Sequence, residues 1–187
     1  MKKLLLLLLL SFISTTIYSI PRFGELTEMF DPKMRGKDNS WVRPHPGPFV
    51  WEMIEPEEGS FFWKEADRYV QYSQDHNQTI IATIWPYTKW DQKSCKRKKS
   101  KSPFGRHFPN RLSKPCSMEK YLSFLSLVID RYDGDGSNDM PGLTNPVLHW
   151  EIMNEPEFKM FFSGNEDEFV DIFIESSKLI KAKQKDA

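Results

Sequence analysis

The sequence has few cysteines, no excess charge of either sign and, after its first twenty residues, no long apolar run. Two cysteines are too few for a zinc site with four ligands of this type. The 26 Lys and Arg residues balance the 26 Asp and Glu residues, which excludes the general charge signature of nucleic-acid-binding proteins. No membrane span is predicted after the leader, because a span needs about 20 apolar residues. Hydrophobic content of 39% and aromatic content of 14% predict one folded domain.

The first twenty residues have the pattern of a secretory signal peptide. Lys2 and Lys3 form a short basic start, and Leu4–Leu10 is an unbroken leucine run. We therefore predict a signal peptide over residues 1–19, a mature domain over residues 20–187 and a secreted, extracytoplasmic protein. An N-terminal anchor that is not cleaved is the alternative.

Secretion favours a disulfide bond between Cys95 and Cys116, the only two cysteines of the chain. The bond would close a loop of about 20 residues and would stabilise the fold by roughly 3 kcal/mol. Two unpaired buried thiols are the alternative.

Strand and helix patterns alternate along the predicted mature chain, and this predicts βαβ units with a parallel sheet. Apolar and β-branched runs predict strands over Ser40–Arg43, Thr79–Trp85 and Val147–Met153. Helical spacing predicts helices over residues 63–76, from the N-cap Ser117 to Tyr132, and from Phe169 to Ile180. We also expect a short helix around Glu25–Phe30 and a long polar loop over residues 86–116.

Two acidic motifs follow predicted strands, and α/β folds place their sites at the carboxyl ends of strands. One is Asn154-Glu155-Pro156, which ends the strand that begins near Val147. The other is the pattern Trp-x-x-Ile-Glu-Pro-x-x-Gly-x-Phe over Trp51–Phe61, in which Glu55 precedes a proline. We expect Glu55 to be a solvated charge or to hold the turn, and Glu155 to be the candidate for chemistry.

In this order, the two motifs resemble those of the clan of retaining glycoside hydrolases built on (β/α)8 barrels. Cellulase-like, β-xylosidase-like and β-galactosidase-like enzymes belong to that clan. The resemblance covers about residues 40–180 and includes Arg43–Phe49 and Ala82–Gln92. It implies an α/β fold in which the three predicted strands are strands 2–4 of a barrel. A complete barrel takes about 250 residues, so we expect a partial (β/α)8 barrel from a truncated member. We expect residues 21–39 to be too few for strand 1 and its helix.

The resemblance also implies roles for individual residues. Glu155 would be the general acid/base, Asn154 would bind the sugar 2-hydroxyl, and Arg43 would hold the nucleophile. Trp85 would supply an apolar wall against a sugar face. The function implied is hydrolysis of O-glycosidic bonds of carbohydrates, with no metal and no cofactor. The nucleophile of the clan follows strand 7, which is not among the predicted strands. The alternative is therefore a catalytically inactive fragment that binds carbohydrate or a partner.

Two charged segments each allow two interpretations. Lys89–Lys114 contains ten Lys or Arg residues and one acid, Asp91, so it is either a solvated loop or a surface for an anionic glycan. Asp133, Asp135 and Asp139 either ligate calcium or form an Asp/Gly turn, since their spacing departs from the EF-hand pattern. The expected partner is a carbohydrate, either neutral or anionic, and not a nucleic acid.

Overall fold

The computed structural model describes residues 24–28, 35–100 and 109–187. This part of the chain contains one four-stranded parallel sheet in the order β1-β2-β3-β4. The strands are β1 (Gly24–Thr27), β2 (Trp41–Pro44), β3 (Thr79–Ile84) and β4 (His149–Ile152). The helices are α1 (Trp51–Ile54), α2 (Lys64–Asp75), α3 (Lys89–Ser94), α4 (Met118–Tyr132) and α5 (Glu166–Lys183). The predicted α/β class with a parallel sheet is confirmed, and the predicted signal peptide lies outside the described residues.

Alternation of side chains along the strands gives the sheet two different faces. Val42, Ile80, Ala82 and Ile84 are buried on the face covered by the crossover helices. The other face carries Arg43, which is partly exposed. Because successive side chains of a strand point to opposite faces, the polar residues of the strands lie together on the second face.

Two helices begin at caps that the sequence encodes. The Ser117 side chain accepts a hydrogen bond from the Lys120 amide at 3.2 Å, which confirms Ser117 as the N-cap of α4. Helix α5 begins at Glu166, three residues before the predicted start, because Asn165 and Glu168 form a reciprocal capping box. The spacing Asn-x-x-Glu is a known signal of a helix start.

The expected helix around Glu25–Phe30 is wrong, since the described part of it is strand β1. Gly24 is paired with Trp41 in the register of β1 and β2. A Cβ atom on Gly24 would lie 3.0 Å from that of Trp41, so the glycine permits the close approach of the strands. Thr27 is buried, and its hydroxyl lies 2.6 Å from the Tyr69 hydroxyl. The described residues therefore include a strand before β2, although residues 21–39 were expected to be too few for a first strand and its helix.

The segment expected to be a long polar loop contains helix α3 and is closed by the disulfide between Cys95 and Cys116, whose Cα atoms are 5.8 Å apart. Asp91, on α3, is buried and accepts hydrogen bonds from the amides of Cys116 at 2.7 Å and Ser117 at 2.9 Å. Burial raises the pKa of Asp91, and the two backbone donors partly offset that rise. The cysteine prediction is confirmed, and the disulfide loop is tied to the start of α4.

Within the described ranges, no helix combines the length and the apolar character that a membrane crossing requires.

Candidate active site

Arg43 connects strands β2 and β4 across the partly exposed face of the sheet. Its Nε atom donates to Glu151 Oε2 at 2.8 Å, and its Nη2 atom lies 2.6 Å from the same oxygen. The Nη2 atom also donates to Asn154 Oδ1 at 2.8 Å. Arg43 therefore fixes the orientation of the Asn154 amide, whose nitrogen is left to donate elsewhere.

Glu151 belongs to this group of residues although the sequence analysis missed it. It is aligned with Thr83 in the register of β3 and β4, and Thr83 Oγ1 donates to Glu151 Oε2 at 2.6 Å. The signal that could have revealed Glu151 is its position in the strand, two residues from His149 and hence on the same face. Arg43 is on that face as well, one strand beyond β3.

Glu155 lies at the exposed end of this group. Asn154 Nδ2 donates to Glu155 Oε2 at 3.1 Å, and the Glu155 side chain is exposed. Glu155 has a φ angle of 45°, and Met153 has one of 59°. A left-handed residue that is not glycine costs about 1–2 kcal/mol, and such strain is concentrated at functional sites. We call Arg43, Thr83, Glu151, Asn154 and Glu155 the strand-end network.

His45 is within electrostatic range of both carboxylates of the network. Burial and the neighbouring Arg43 lower the pKa of His45 below its usual value of 6.5, while Glu151 and Glu155 act in the opposite direction. Its ring centroid lies 5.9 Å from that of Trp85. His45 is therefore a neutral ring beside the network at neutral pH.

Trp85 does not fit the role of a sugar-facing wall. Its side chain is completely buried, and Nε1 donates to the Pro46 carbonyl at 2.7 Å. Its backbone accepts from the Trp51 amide at 3.0 Å and donates to the Phe49 carbonyl at 3.1 Å. These bonds hold Trp85 beneath the loop that follows β2, so the prediction of an exposed wall is wrong.

Glu55 is a structural residue, and the expectation of a solvated charge is wrong. It is 6% exposed and accepts from Trp51 Nε1 at 2.6 Å and from the Gly59 amide at 2.7 Å. Gly59 has a φ angle of 78°, a conformation that glycine adopts without steric cost. The Trp-x-x-Ile-Glu-Pro-x-x-Gly pattern thus encodes a hydrogen-bonded turn, which we call the Glu55 turn (residues 51–59).

The residues that could hold a metal ion are Asp133, Asp135 and Asp139, whose carboxylate oxygens lie within 4.8 Å of one another. Asp139 already accepts from the Gly134 and Gly136 amides at 3.1 and 2.8 Å. These residues follow α4 and precede β4, so they lie at the end of the sheet opposite Glu155. Calcium ligation and an Asp/Gly turn stay the two interpretations of these residues.

The fold resembles part of known glycosidase structures. No protein-family model matches the sequence, and no curated protein sequence is significantly similar to it. A monomeric β-xylosidase from Caulobacter crescentus CB15 matches 89% of this chain with a TM-score of 0.61 and 10% identity. A β-galactosidase from the psychrophilic Marinomonas ef1 matches 74% of the chain with a TM-score of 0.47 and 17% identity. This chain spans 35% of the first protein and 22% of the second. The first likeness shows that this chain shares an α/β fold with part of that structure.

Chemically, the network presents one exposed carboxyl group beside an oriented amide. The second carboxylate, Glu151, accepts bonds from Arg43 and Thr83 through a single oxygen, Oε2. Its bonding suits it to hold Arg43 in place, while Glu155 has the accessibility that proton transfer to a ligand requires.

Proposed function

We propose that this chain carries the acid/base part of a retaining glycoside hydrolase site. In this proposal the four strands are the first four of a (β/α)8 barrel, and the chain is exported. The observation that carries the proposal is the strand-end network, in which Arg43 and Asn154 position Glu155 where strand β4 ends. The β-xylosidase-like fold supports it, because that enzyme is a carbohydrate hydrolase by name.

The proposed chemistry assigns one step to each of two side chains. The Glu155 carboxyl group donates its proton to the glycosidic oxygen as the bond to the anomeric carbon breaks. The Asn154 amide nitrogen, which contacts Glu155 in the free protein, donates to a sugar hydroxyl when a ligand is bound. Arg43 holds the amide oxygen, so the nitrogen faces the ligand without further reorganisation.

The nucleophile of this chemistry is a second carboxylate that the resemblance assigns to strand 7. The sheet of the described residues contains four strands. Without a nucleophile no covalent glycosyl-enzyme forms, so we expect the chain by itself to bind carbohydrate and to hydrolyse it very slowly.

The test compares binding and hydrolysis in the same set of variants. Oligosaccharides and aryl glycosides of xylose and galactose are titrated calorimetrically and assayed for aryl release. We expect Asn154→Ala to weaken sugar binding at least tenfold, whereas the exposed neighbour Glu157 supplies the control Glu157→Gln. Failure of the folded wild type to bind any of these sugars or any acidic oligosaccharide would overturn the proposal.

The second candidate function is carbohydrate binding without catalysis, and the four-stranded extent of the described sheet favours it for the isolated chain. The two candidates differ in one measurement. If aryl release by the wild type equals that of Glu155→Gln while both bind sugar equally, the chain is a binding protein. If the wild type is faster, Glu155 acts in catalysis.

A further inference from the structure

Residues 95–100 form one side of a positively charged cavity. A cavity of about 510 Å³ lies beside the disulfide. Its lining includes four consecutive cationic side chains and three hydroxyl groups: Lys96, Arg97, Lys98, Lys99, Ser100, Ser113 and Ser163. We call it the basic cavity. Glu168 is the one carboxylate in the described lining, so positive charge predominates.

The backbone that carries the cationic side chains is held by a disulfide and by backbone hydrogen bonds. The disulfide joins Cys95, next to Lys96, to Cys116 at the start of α4. The Ser100 amide donates to the Asn110 carbonyl at 2.7 Å, and the Arg97 amide donates to the Gln92 carbonyl at 3.0 Å. Because the described backbone of residues 95–100 is held in this way, a ligand there mainly has to order side chains, which reduces the entropic cost of binding.

Ion pairs leave most of the cavity's charge available. Arg97 Nη1 lies 3.0 Å from Glu168 Oε1, so this pair is neutralised within the protein. Lys96, Lys98 and Lys99 are exposed, and none of them forms an ion pair within the described ranges. Three ammonium groups on one rim therefore attract a ligand that carries several anionic groups.

The basic cavity and Glu155 lie at the same edge of the sheet. Ser163 belongs to the connection from β4 to α5, which begins at Met153 and includes Glu155. Its amide donates to the Leu112 carbonyl at 2.6 Å, and its hydroxyl lies 3.0 Å from that of Ser113. The loops that follow two parallel strands are thus joined at the carboxyl ends of those strands. Eight residues separate Glu155 from Ser163, a contour of at most about 28 Å, so an oligomeric ligand is long enough to reach both.

We infer that the basic cavity binds the sulfate or carboxylate groups of an acidic polysaccharide, and that such a polymer is the substrate class of the proposed site. The second part of this inference rests on the proposed function. The described cavity lining contains no aromatic ring on which the bases of a single-stranded nucleic acid would stack. The balanced total charge of the chain likewise gives no general attraction to nucleic acid.

The test uses heparin oligosaccharides for sulfate, oligogalacturonate for carboxylate, and a neutral xylo-oligosaccharide. The variant is the triple substitution Lys96→Gln, Lys98→Gln and Lys99→Gln. The matched control is Lys178→Gln, Lys181→Gln and Lys185→Gln, which removes the same charge from exposed positions on and after α5. We expect the cavity variant to bind one or both polyanions at least tenfold more weakly at 0.15 M salt. The control should change binding less than twofold.

Binding to the wild type should weaken as salt rises, because exposed charges are screened over about 8 Å at this ionic strength.

Three outcomes would overturn the inference. They are no polyanion binding by the wild type, equal loss in both triple variants, and tighter binding of single-stranded DNA or anionic vesicles than of either polyanion. The Asn154→Ala variant separates this inference from the proposed function. If neutral sugars bind through Asn154 and polyanions do not bind, only the cavity assignment fails. If polyanions bind through the lysines and Asn154→Ala leaves their binding unchanged, the cavity stands as a glycan-binding surface and the proposed function fails.

Discussion

The dipeptide Glu-Pro occurs in both motifs that carry the family resemblance, yet the two glutamates have opposite environments. Glu55 is buried and accepts two short hydrogen bonds, from an indole and from a backbone amide. Glu155 is exposed and accepts a bond of 3.1 Å from the side chain of Asn154. Its backbone is in the left-handed region, whereas Glu55 has a φ angle of −129°.

The difference separates a carboxylate that is hydrogen-bonded within the protein from one that is accessible to a ligand. Both oxygens of such a buried carboxylate already accept hydrogen bonds within the protein, so its removal leaves the donors without partners. An exposed carboxylate at a strained position contributes little to folding and is accessible to a ligand. The same dipeptide therefore lies in a buried, hydrogen-bonded turn at one site and at an exposed strand end at the other.

The largest expected effect comes from breaking the Glu55 turn. Glu55→Ala removes a charged acceptor from Trp51 Nε1 and the Gly59 amide, and we expect it to lower the free energy of unfolding by about 3 kcal/mol. Glu155→Ala should change it by less than about 0.5 kcal/mol, as exposed substitutions usually do. Urea denaturation of both variants measures the difference. Equal losses would contradict the contrast between the two glutamates.

A smaller effect of opposite sign is expected at the strained backbone. Glu155→Gly relieves the left-handed conformation and should stabilise the fold by up to about 1 kcal/mol, while abolishing any acid/base activity. The control is Glu157→Gly, since Glu157 is not among the residues with positive φ. That substitution should destabilise slightly through the added freedom of the unfolded chain. Thermal unfolding distinguishes the two, and destabilisation by both would argue against strain at Glu155.

The smallest effect concerns the pKa of His45, which burial and Arg43 lower. Because the unfolded chain takes up this proton first, stability should fall as the pH drops from about 6.5 to the lowered pKa, and this contribution is constant at lower pH. Glu155→Gln removes a carboxylate that raises the pKa, so it should lower the His45 midpoint further. Glu55→Gln should leave it unchanged. NMR titration of the imidazole measures both, and a midpoint above 6.5 in the wild type would refute the assignment.

Local signals in the sequence predicted the elements that depend on local chemistry. The Ser117 cap, the apolar run of β3 and the helical spacing around Tyr69 were sufficient to predict α4, β3 and α2. Strand β1 could not be predicted in this way, because its four residues have no periodic pattern. It is stabilised by pairing with Trp41 and by the contact of Thr27 with Tyr69.

The candidate site was predictable only in part, for a related reason. Glu155, Asn154 and Arg43 were found through motifs and do form one network. Glu151 was missed because it is assigned by register with Thr83, which depends on how two distant segments align. Trp85 was misjudged because its burial depends on the loop that carries Pro46, and no pattern within β3 contains that information.

The buried Asp91 carboxylate makes the unfolding of two segments cooperative. It belongs to α3, but the amides that donate to it, those of Cys116 and Ser117, belong to the start of α4. If α3 unwinds, two amides near the first turn of α4 lose their acceptor. Local opening of α3 therefore also weakens α4, the helix that packs against α5. Hydrogen exchange at Cys116 and Ser117 should therefore report the opening of α3, and we expect α3 and the start of α4 to open as one cooperative unit.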